Sequence, residues 1–281
     1  MNRRVFTSLV VASLTAATGA VLAQAPPTTT AAPAATSQAP AGAPPAAPAS
    51  TCPEMATALT ALMRNDARLA DWPALGRYRE ANRALTAPAA SEQRVVFMGD
   101  SITDAWQQPR FSFFPGKPYV DRGISGQTTP QMLVRFRRDV IDLKPKAVVI
   151  LAGTNDIAGN TGPMSDEDIE ANLASMSELA HANNIKVVLS SITPVSAYHT
   201  ATPRAVPQTT ARPMARIQKL NDWMKTYAAA HNDTYLDYFS AMTDQSGLMR
   251  TELTEDDLHP NAKGYEIMAP LAQAAIDKAL K

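Results

Sequence analysis

Five short apolar runs, at 94–98, 119–121, 147–151, 186–192 and 234–238, alternate with segments of helical spacing, and this restricts the fold more than any other feature of the chain. Most of the runs are rich in Val and Ile, the pattern of strands buried on both faces of a parallel sheet. Parallel strands need crossover helices, and the intervening segments supply them. Thr129 precedes Pro130 at a first helical position, with Met132, Phe136 and Val140 four residues apart and the pattern ending before Pro145. Ser165 stands three residues before Asp168 and opens a run with Ile169, Leu173, Met176 and Leu179 on one face. Further helices are expected over 213–230 and from Pro260 to the C-terminus, the last kinked at Pro270. The expected fold is α/β: a three-layer α/β/α sandwich around a doubly wound, mainly parallel five-stranded sheet. In such sheets ligands bind beyond the carboxyl ends of the strands, so chemistry is expected just after the apolar runs.

The region ahead of the sheet reads differently. Arg3 and Arg4 precede the apolar stretch from Val5 to Leu22 and a small-residue exit at Ala23 and Ala25, so residues 1–25 are expected to be a cleaved signal peptide, with an uncleaved anchor as the alternative. Residues 26–50 are almost entirely Ala, Pro, Thr and Ser, a composition expected to stay a disordered tether because it cannot offset the entropy of ordering. The folded domain is then 51–281, with N-terminal helices over 53–87 and a catalytic core over 93–279. Met55, Leu59, Leu62 and Met63 mark one helical face, and Leu75, Tyr78 and Leu85 a second pattern. A secreted or periplasmic location follows, with no stable membrane insertion after cleavage. The 26 basic residues balance the 26 acidic ones and are scattered, which argues against nucleic-acid partners and favours a small-molecule or neutral polymeric substrate. Cys52 is the single cysteine, so an intrachain disulfide and a thiolate metal cluster are excluded, and it reads as a free thiol.

Four blocks fall on the predicted binding edge. Gly99-Asp100-Ser101 follows the first strand run and opens a helix-compatible stretch, which puts the Ser101 hydroxyl at a strand-to-helix turn; alone, Ser101 or Asp100 could equally be a helix cap. Gly126 in "GISGQTT" follows the second run, Asn155 in "AGTND" the third, and Asp256 and His259 in "DDLHPN" the fifth. Singly, Gly126 and Asn155 also read as turn residues.

Taken together and in this order, the blocks resemble the SGNH hydrolases, the GDSL-type lipase and acylhydrolase superfamily, over roughly residues 93–279. The resemblance implies a flavodoxin-like three-layer fold with Ser101 as nucleophile, His259 as base and Asp256 as the acid that orients it. The oxyanion hole would comprise the backbone N–H groups of Ser101 and Gly126 and the side-chain amide of Asn155. The chemistry accounts for these types: a serine hydroxyl needs a base within reach, an imidazole suits that task, and a carboxylate stabilises the imidazolium that results. Asp100 and Asp156 are expected to support the loops. The family commonly has Asn where this chain has Asp121, which puts one supporting hydrogen bond in doubt. It also often has Gly at the position of Asp257, so a backbone with positive φ is expected there. No cofactor and no metal are expected.

Of the other histidines, His181 and His231 near helix ends read as structural, while His199, after the fourth run, is open between substrate contact and solvent exposure. Trp106, Tyr198 and His199 are candidate substrate contacts, as are Arg204 and Arg212, although the aromatic group of Trp106, Phe111, Phe113 and Phe114 reads more readily as core. No long apolar insertion suggests a lid or acyl tunnel. The favoured function is a secreted esterase removing short acyl groups, above all O-acetyl, from carbohydrate. The alternatives are a lysophospholipase or thioesterase of the same superfamily, a metal-dependent phosphoesterase built on Asp100, Asn155, Asp156, Asp256 and His259, and a non-catalytic binding module.

Overall fold

The computed structural model describes residues 55–57, 59, 60, 63, 69–199 and 206–281. The expected signal peptide and tether, Cys52, Leu62 and Arg204 lie outside the described residues.

A short helix α1 (Arg79–Ala84) leads into β1 (Val95–Gly99), α2 (Ser101–Trp106) and β2 (Tyr119–Gly123). The chain continues through α3 (Thr129–Asp139), β3 (Ala147–Leu151), α4 (Thr154–Ile157), α5 (Asp166–His181) and β4 (Lys186–Ser190). It ends with α6 (Gln208–Ala211), α7 (Met214–His231), β5 (Thr234–Leu236), α8 (Tyr238–Met242) and α9 (Ala262–Ala279). The strands lie in the order β2-β1-β3-β4-β5, every pair parallel. The strand order reverses beside β1, which opens a crevice at the carboxyl ends of β1 and β3.

Strand periodicity explains the layers. Val96, Met98, Val148, Ile150, Val187 and Leu189 face one side and pack against the apolar stripes of α3, α5 and α7, among them Met132, Phe136, Ile169, Leu173, Ile217 and Leu220. The alternate residues Val95, Phe97, Val149, Leu151 and Val188 face the other side, against Ile102 and Trp106 of α2 and Met268, Ala272 and Ile276 of α9. The Ser165 hydroxyl accepts from Asp168 N at 3.1 Å and caps α5, as its spacing predicts. Pro270 lies inside α9.

Two expectations need correction. The run at 234–238 stops at Leu236, because the Asp237 carboxylate accepts from Ser240 N (2.9 Å) and starts α8. In the N-terminal segment, Met55, Leu59 and Met63 are helical but 55 %, 58 % and 65 % exposed, so the apolar spacing there marks no core face. Of the second pattern only Tyr78 is buried, its hydroxyl donating to Gly123 O.

Gly123 ends β2 where α2 crosses it. A Cβ built on Gly123 would lie 2.1 Å from the backbone N of Asp104, so only glycine lets the first turn of α2 rest on the sheet. Gly123→Ala is expected to cost on the order of 3 kcal/mol through overpacking against backbone. That corresponds to a melting-temperature fall of roughly 6–12 °C, and calorimetry showing no change would remove this close approach from the account.

Candidate active site

Ser101 is the first residue of α2, two positions past the buried end of β1. The preceding Asp100 is fully buried; its Oδ1 accepts from Ile102 N (3.0 Å), which caps the helix, and burial pushes its carboxyl up to about 6. It shapes the turn that carries the serine.

His259 reaches Ser101 from the loop ahead of α9. Its Nε2 lies 2.9 Å from Ser101 Oγ and its Nδ1 2.7 Å from Asp256 Oδ2. The second Asp256 oxygen accepts from the backbone N–H of His259 (2.8 Å) and of Leu258 (3.1 Å), so the carboxylate curls back along its own turn. Partial burial alone would raise this carboxyl; hydrogen bonds from the His259 ring and backbone outweigh it and hold it far below the usual range. Asp257 has φ +68°, the left-handed conformation expected where the family often has Gly, and its carboxylate points elsewhere. It accepts from Ser196 Oγ (2.6 Å) and Tyr198 N (3.1 Å) and lies 2.8 Å from His199 Nδ1.

The loop after β2 is held from several sides. Ile124 N donates to Gly99 O (3.0 Å), and Ser125 donates through N and Oγ to Asp104 Oδ2 (3.1 and 2.6 Å). Gly126 has φ +81°, its carbonyl accepts from Asn160 Nδ2 (3.1 Å), and among the described residues nothing accepts from its N–H. Asn155, in the first turn of α4, is 3 % exposed and donates through Nδ2 to Gln127 O at 3.0 Å. One amide hydrogen thereby fixes the side chain and the other is left for a ligand. Asp156 accepts from Thr129 N and Oγ1 (2.8 and 2.6 Å), tying α4 to the start of α3, and burial raises its carboxyl. Among the described residues no three His, Cys, Asp or Glu side chains converge so as to hold a metal ion.

The candidate substrate contacts fare differently. Trp106 is 1 % exposed, stacked on Tyr265 (4.9 Å) and edge-on to Phe97, so it is a core residue and not a contact. Tyr198 is exposed and donates to Asp244 Oδ2 (2.8 Å), and His199 rests on Asp257; neither lines the cleft at Ser101. That cleft, about 470 Å³, is walled by Gln108, Arg110, Phe111, Ser125, Glu255 and Asn261 together with His259. Arg212 is buried and donates through Nε to the Thr154 carbonyl (3.1 Å), supporting the loop that carries Asn155. His181 lies 2.6 Å from Asp233, and His231 stacks on Tyr227, both within helix packing.

One supporting residue escaped the sequence reading. Arg135 is wholly buried and donates to Gly99 O (3.0 Å), Gln127 Oε1 (2.5 Å) and Asp139 Oδ2 (3.1 Å). Its signal was a charge beside Phe136, on a helix face otherwise read as core.

A family model described as GDSL-like lipase/acylhydrolase matches residues 97–267. A Bacteroides fragilis crystal structure, proposed to be an acylhydrolase, is 42 % identical with a TM-score of 0.69, covering 75 % of this chain and 99 % of that one. An acetylxylan esterase of Geobacillus stearothermophilus shares the fold at 21 % identity and TM-score 0.54, over 68 % of this chain and 96 % of that one. A lipoprotein of Bacillus subtilis without assigned function is 37 % identical over 79 residues, 27 % of this chain and about a third (32 %) of that protein.

Asp121 yields a measurable consequence. Its Oδ1 accepts from Gly123 N (2.8 Å), Oδ2 has no partner among the described residues, and burial pushes the carboxyl from 3.8 up to about 7. The folded state therefore binds this proton more tightly than the unfolded chain, and stability is lost as pH rises from about 4 to about 7. Asp121→Asn removes that titration. It should match the parent near pH 4 and exceed it by on the order of 2–4 kcal/mol above pH 7. Parallel urea titrations that keep a constant gap across this range would overturn the assignment.

Proposed function

The chain belongs to the GDSL-like lipase/acylhydrolase family and is a carboxylic ester hydrolase, and from that premise we propose that it works by serine nucleophilic catalysis on short acyl esters, above all O-acetyl groups carried by carbohydrate. The observation that carries the mechanism is the hydrogen-bonded line from Asp256 Oδ2 through the His259 ring to Ser101 Oγ, 2.7 and 2.9 Å. Asp256 fixes the tautomer that leaves Nε2 to accept, so His259 takes the Ser101 proton as Oγ attacks the ester carbonyl. The carbonyl oxygen becomes an oxyanion, met by the N–H groups of Ser101 and Gly126 and by the Asn155 amide. Collapse breaks the bond to the alkoxy oxygen, which takes the proton from His259 and departs as the alcohol. Water, deprotonated by His259, then releases the acid from the acyl-serine and restores the hydroxyl.

The substrate assignment rests on the cleft. Gln108, Arg110, Ser125, Glu255 and Asn261 place amide, hydroxyl and charged groups beside the apolar surface of Ala105, Phe111, Pro260 and Ala262, a mixed wall able to hydrogen-bond a hydroxylated leaving group. The acetylxylan esterase that shares the fold acts on such a substrate. The basic and apolar N-terminus supports export of the enzyme through a signal peptide ending near residue 25, with residues 26–50 as a tether. Among the described residues no helix is long and apolar enough to cross a membrane.

Ser101→Ala is expected to abolish hydrolysis of p-nitrophenyl acetate while the melting temperature is kept, and a serine-directed phosphonate should label the parent at Ser101 alone. Turnover surviving in the folded variant would exclude the serine mechanism. Asn155→Ala should lower kcat on the order of a hundredfold with a smaller change in KM, because the amide acts chiefly on the oxyanion. A change confined to KM would reassign Asn155 to ground-state binding. Acetyl and butyryl esters should be cleaved faster than decanoyl esters, and the opposite order would favour a lipase.

A further inference from the structure

A second cleft, about 740 Å³, adjoins the first and shares Ser125 as a wall. Its far side comes from the segment ahead of α1, upstream of the residues the family model matches. Trp72 lies there with 39 % of its surface exposed, opposite Gly126 loop residues and Asn160. A partly exposed indole at the rim of a cleft offers an amphipathic surface to a ligand.

The backbone beneath the ring is clamped. Gln131 Nε2 donates to Trp72 O (2.7 Å) and Gln127 Nε2 to Pro73 O (2.8 Å), while the Asp71 carboxylate accepts from Leu75 N and Gly76 N (both 2.8 Å). Both glutamines belong to the loop and helix start that follow Gly126, so the ring is held in register with the proposed oxyanion hole. The lining contains no Lys or Arg, which disfavours phosphate-bearing substrates, and it sets the apolar groups of Leu69, Ala74 and Ile124 beside amides and hydroxyls. A flat aromatic face in a cleft that also holds the Asn160 amide and the Ser125 and Thr161 hydroxyls fits the apolar face and rim hydroxyls of a pyranose ring.

We propose that Trp72 is the stacking platform of a sugar subsite, so that the ester reaches Ser101 on a neutral oligosaccharide whose neighbouring ring lies across Trp72. This rests on the reading of the enzyme as a carbohydrate esterase and adds a specificity-determining residue from outside the matched family region. Substrates with at least two rings gain contact here, whereas a small synthetic ester spans only the first cleft.

Two measurements on the full chain test it. In the Ser101→Ala protein, calorimetric titration with xylohexaose, cellohexaose or mannohexaose should give a saturable heat change with at least one of them. That change should vanish in Ser101→Ala/Trp72→Ala and return in part with Trp72→Phe. No saturable change from any of the three at millimolar concentration, or a change that persists without Trp72, overturns the subsite. In turnover, Trp72→Ala should lower the ratio of kcat/KM for acetylated oligosaccharide to kcat/KM for p-nitrophenyl acetate about tenfold, through KM. Equal losses on both substrates would mean that Trp72 only braces the Gly126 loop, and a shifted preference between acetyl and octanoyl esters would make the cleft an acyl pocket; either result overturns the proposal. Failure of the parent enzyme on p-nitrophenyl acetate would refute the esterase mechanism instead, and the binding titration would still decide the subsite.

Discussion

A guanidinium with no access to water holds this site together. Arg135 must satisfy its donors inside the protein, because an unpaired buried charge costs several kcal/mol (order of magnitude). Its donors reach the Gly99 carbonyl at the end of β1, the Gln127 side chain in the oxyanion loop and Asp139 one turn along α3. The proposed nucleophile, Ser101, follows Gly99 by two residues, and Gln127 follows Gly126 by one. One side chain therefore sets the spacing between the serine turn and the loop that faces it. Asn155 joins the same arrangement through the Gln127 carbonyl. The hydrogen bonds that fix these loops leave Oγ of Ser101, the N–H of Gly126 and one amide hydrogen of Asn155 for the roles proposed for them.

Adjacent carboxylates in the His259 loop divide their work in the same spirit. Asp256 accepts from the ring and from two backbone groups of its own turn, which makes the Asp256–His259 unit nearly self-contained. Asp257 turns away through its left-handed backbone and gathers Ser196, Tyr198 and His199. The segment after β4 is thereby tied to the loop carrying the base. His199 resolves into neither of its two expected roles, being occupied with Asp257 and only partly exposed.

Legibility from sequence followed the range of the interaction. The strands, the three layers and the edge holding Ser101, Gly126, Asn155, Asp256 and His259 were readable because each depends on local pattern: apolar runs buried on both faces, caps, and polar residues just past strand ends. Trp106 was misread as a possible contact because an aromatic one turn past a candidate nucleophile looks the same whether it faces substrate or core; only the positions of Phe97 and Tyr265 decide it. Arg135 was invisible for the converse reason, since its acceptors lie on β1 and on the loop after β2, and nothing in helix spacing announces them. The apolar spacing of Met55, Leu59 and Met63 had a real helical period but no partner surface in the described structure, so periodicity alone overstated it.

The same distinction between local and long-range contacts bears on specificity. Everything that holds the proposed triad comes from within the region the family model matches, and its geometry is enforced by buried groups that tolerate little change. The walls that a substrate would meet come from two stretches: Gln108, Arg110 and Phe111 from the chain between α2 and β2, inside that region, and Trp72 from the segment before α1, outside it. Gln108, Arg110 and Trp72 are exposed, so an altered side chain there disturbs few core contacts, whereas Phe111 rests on Tyr265. Gln127 and Gln131 are the points at which the two systems meet, since each binds the Trp72–Pro73 backbone on one side and belongs to the oxyanion loop or its helix on the other. The pair of glutamines thereby ties the Trp72 edge to the loop that follows Gly126.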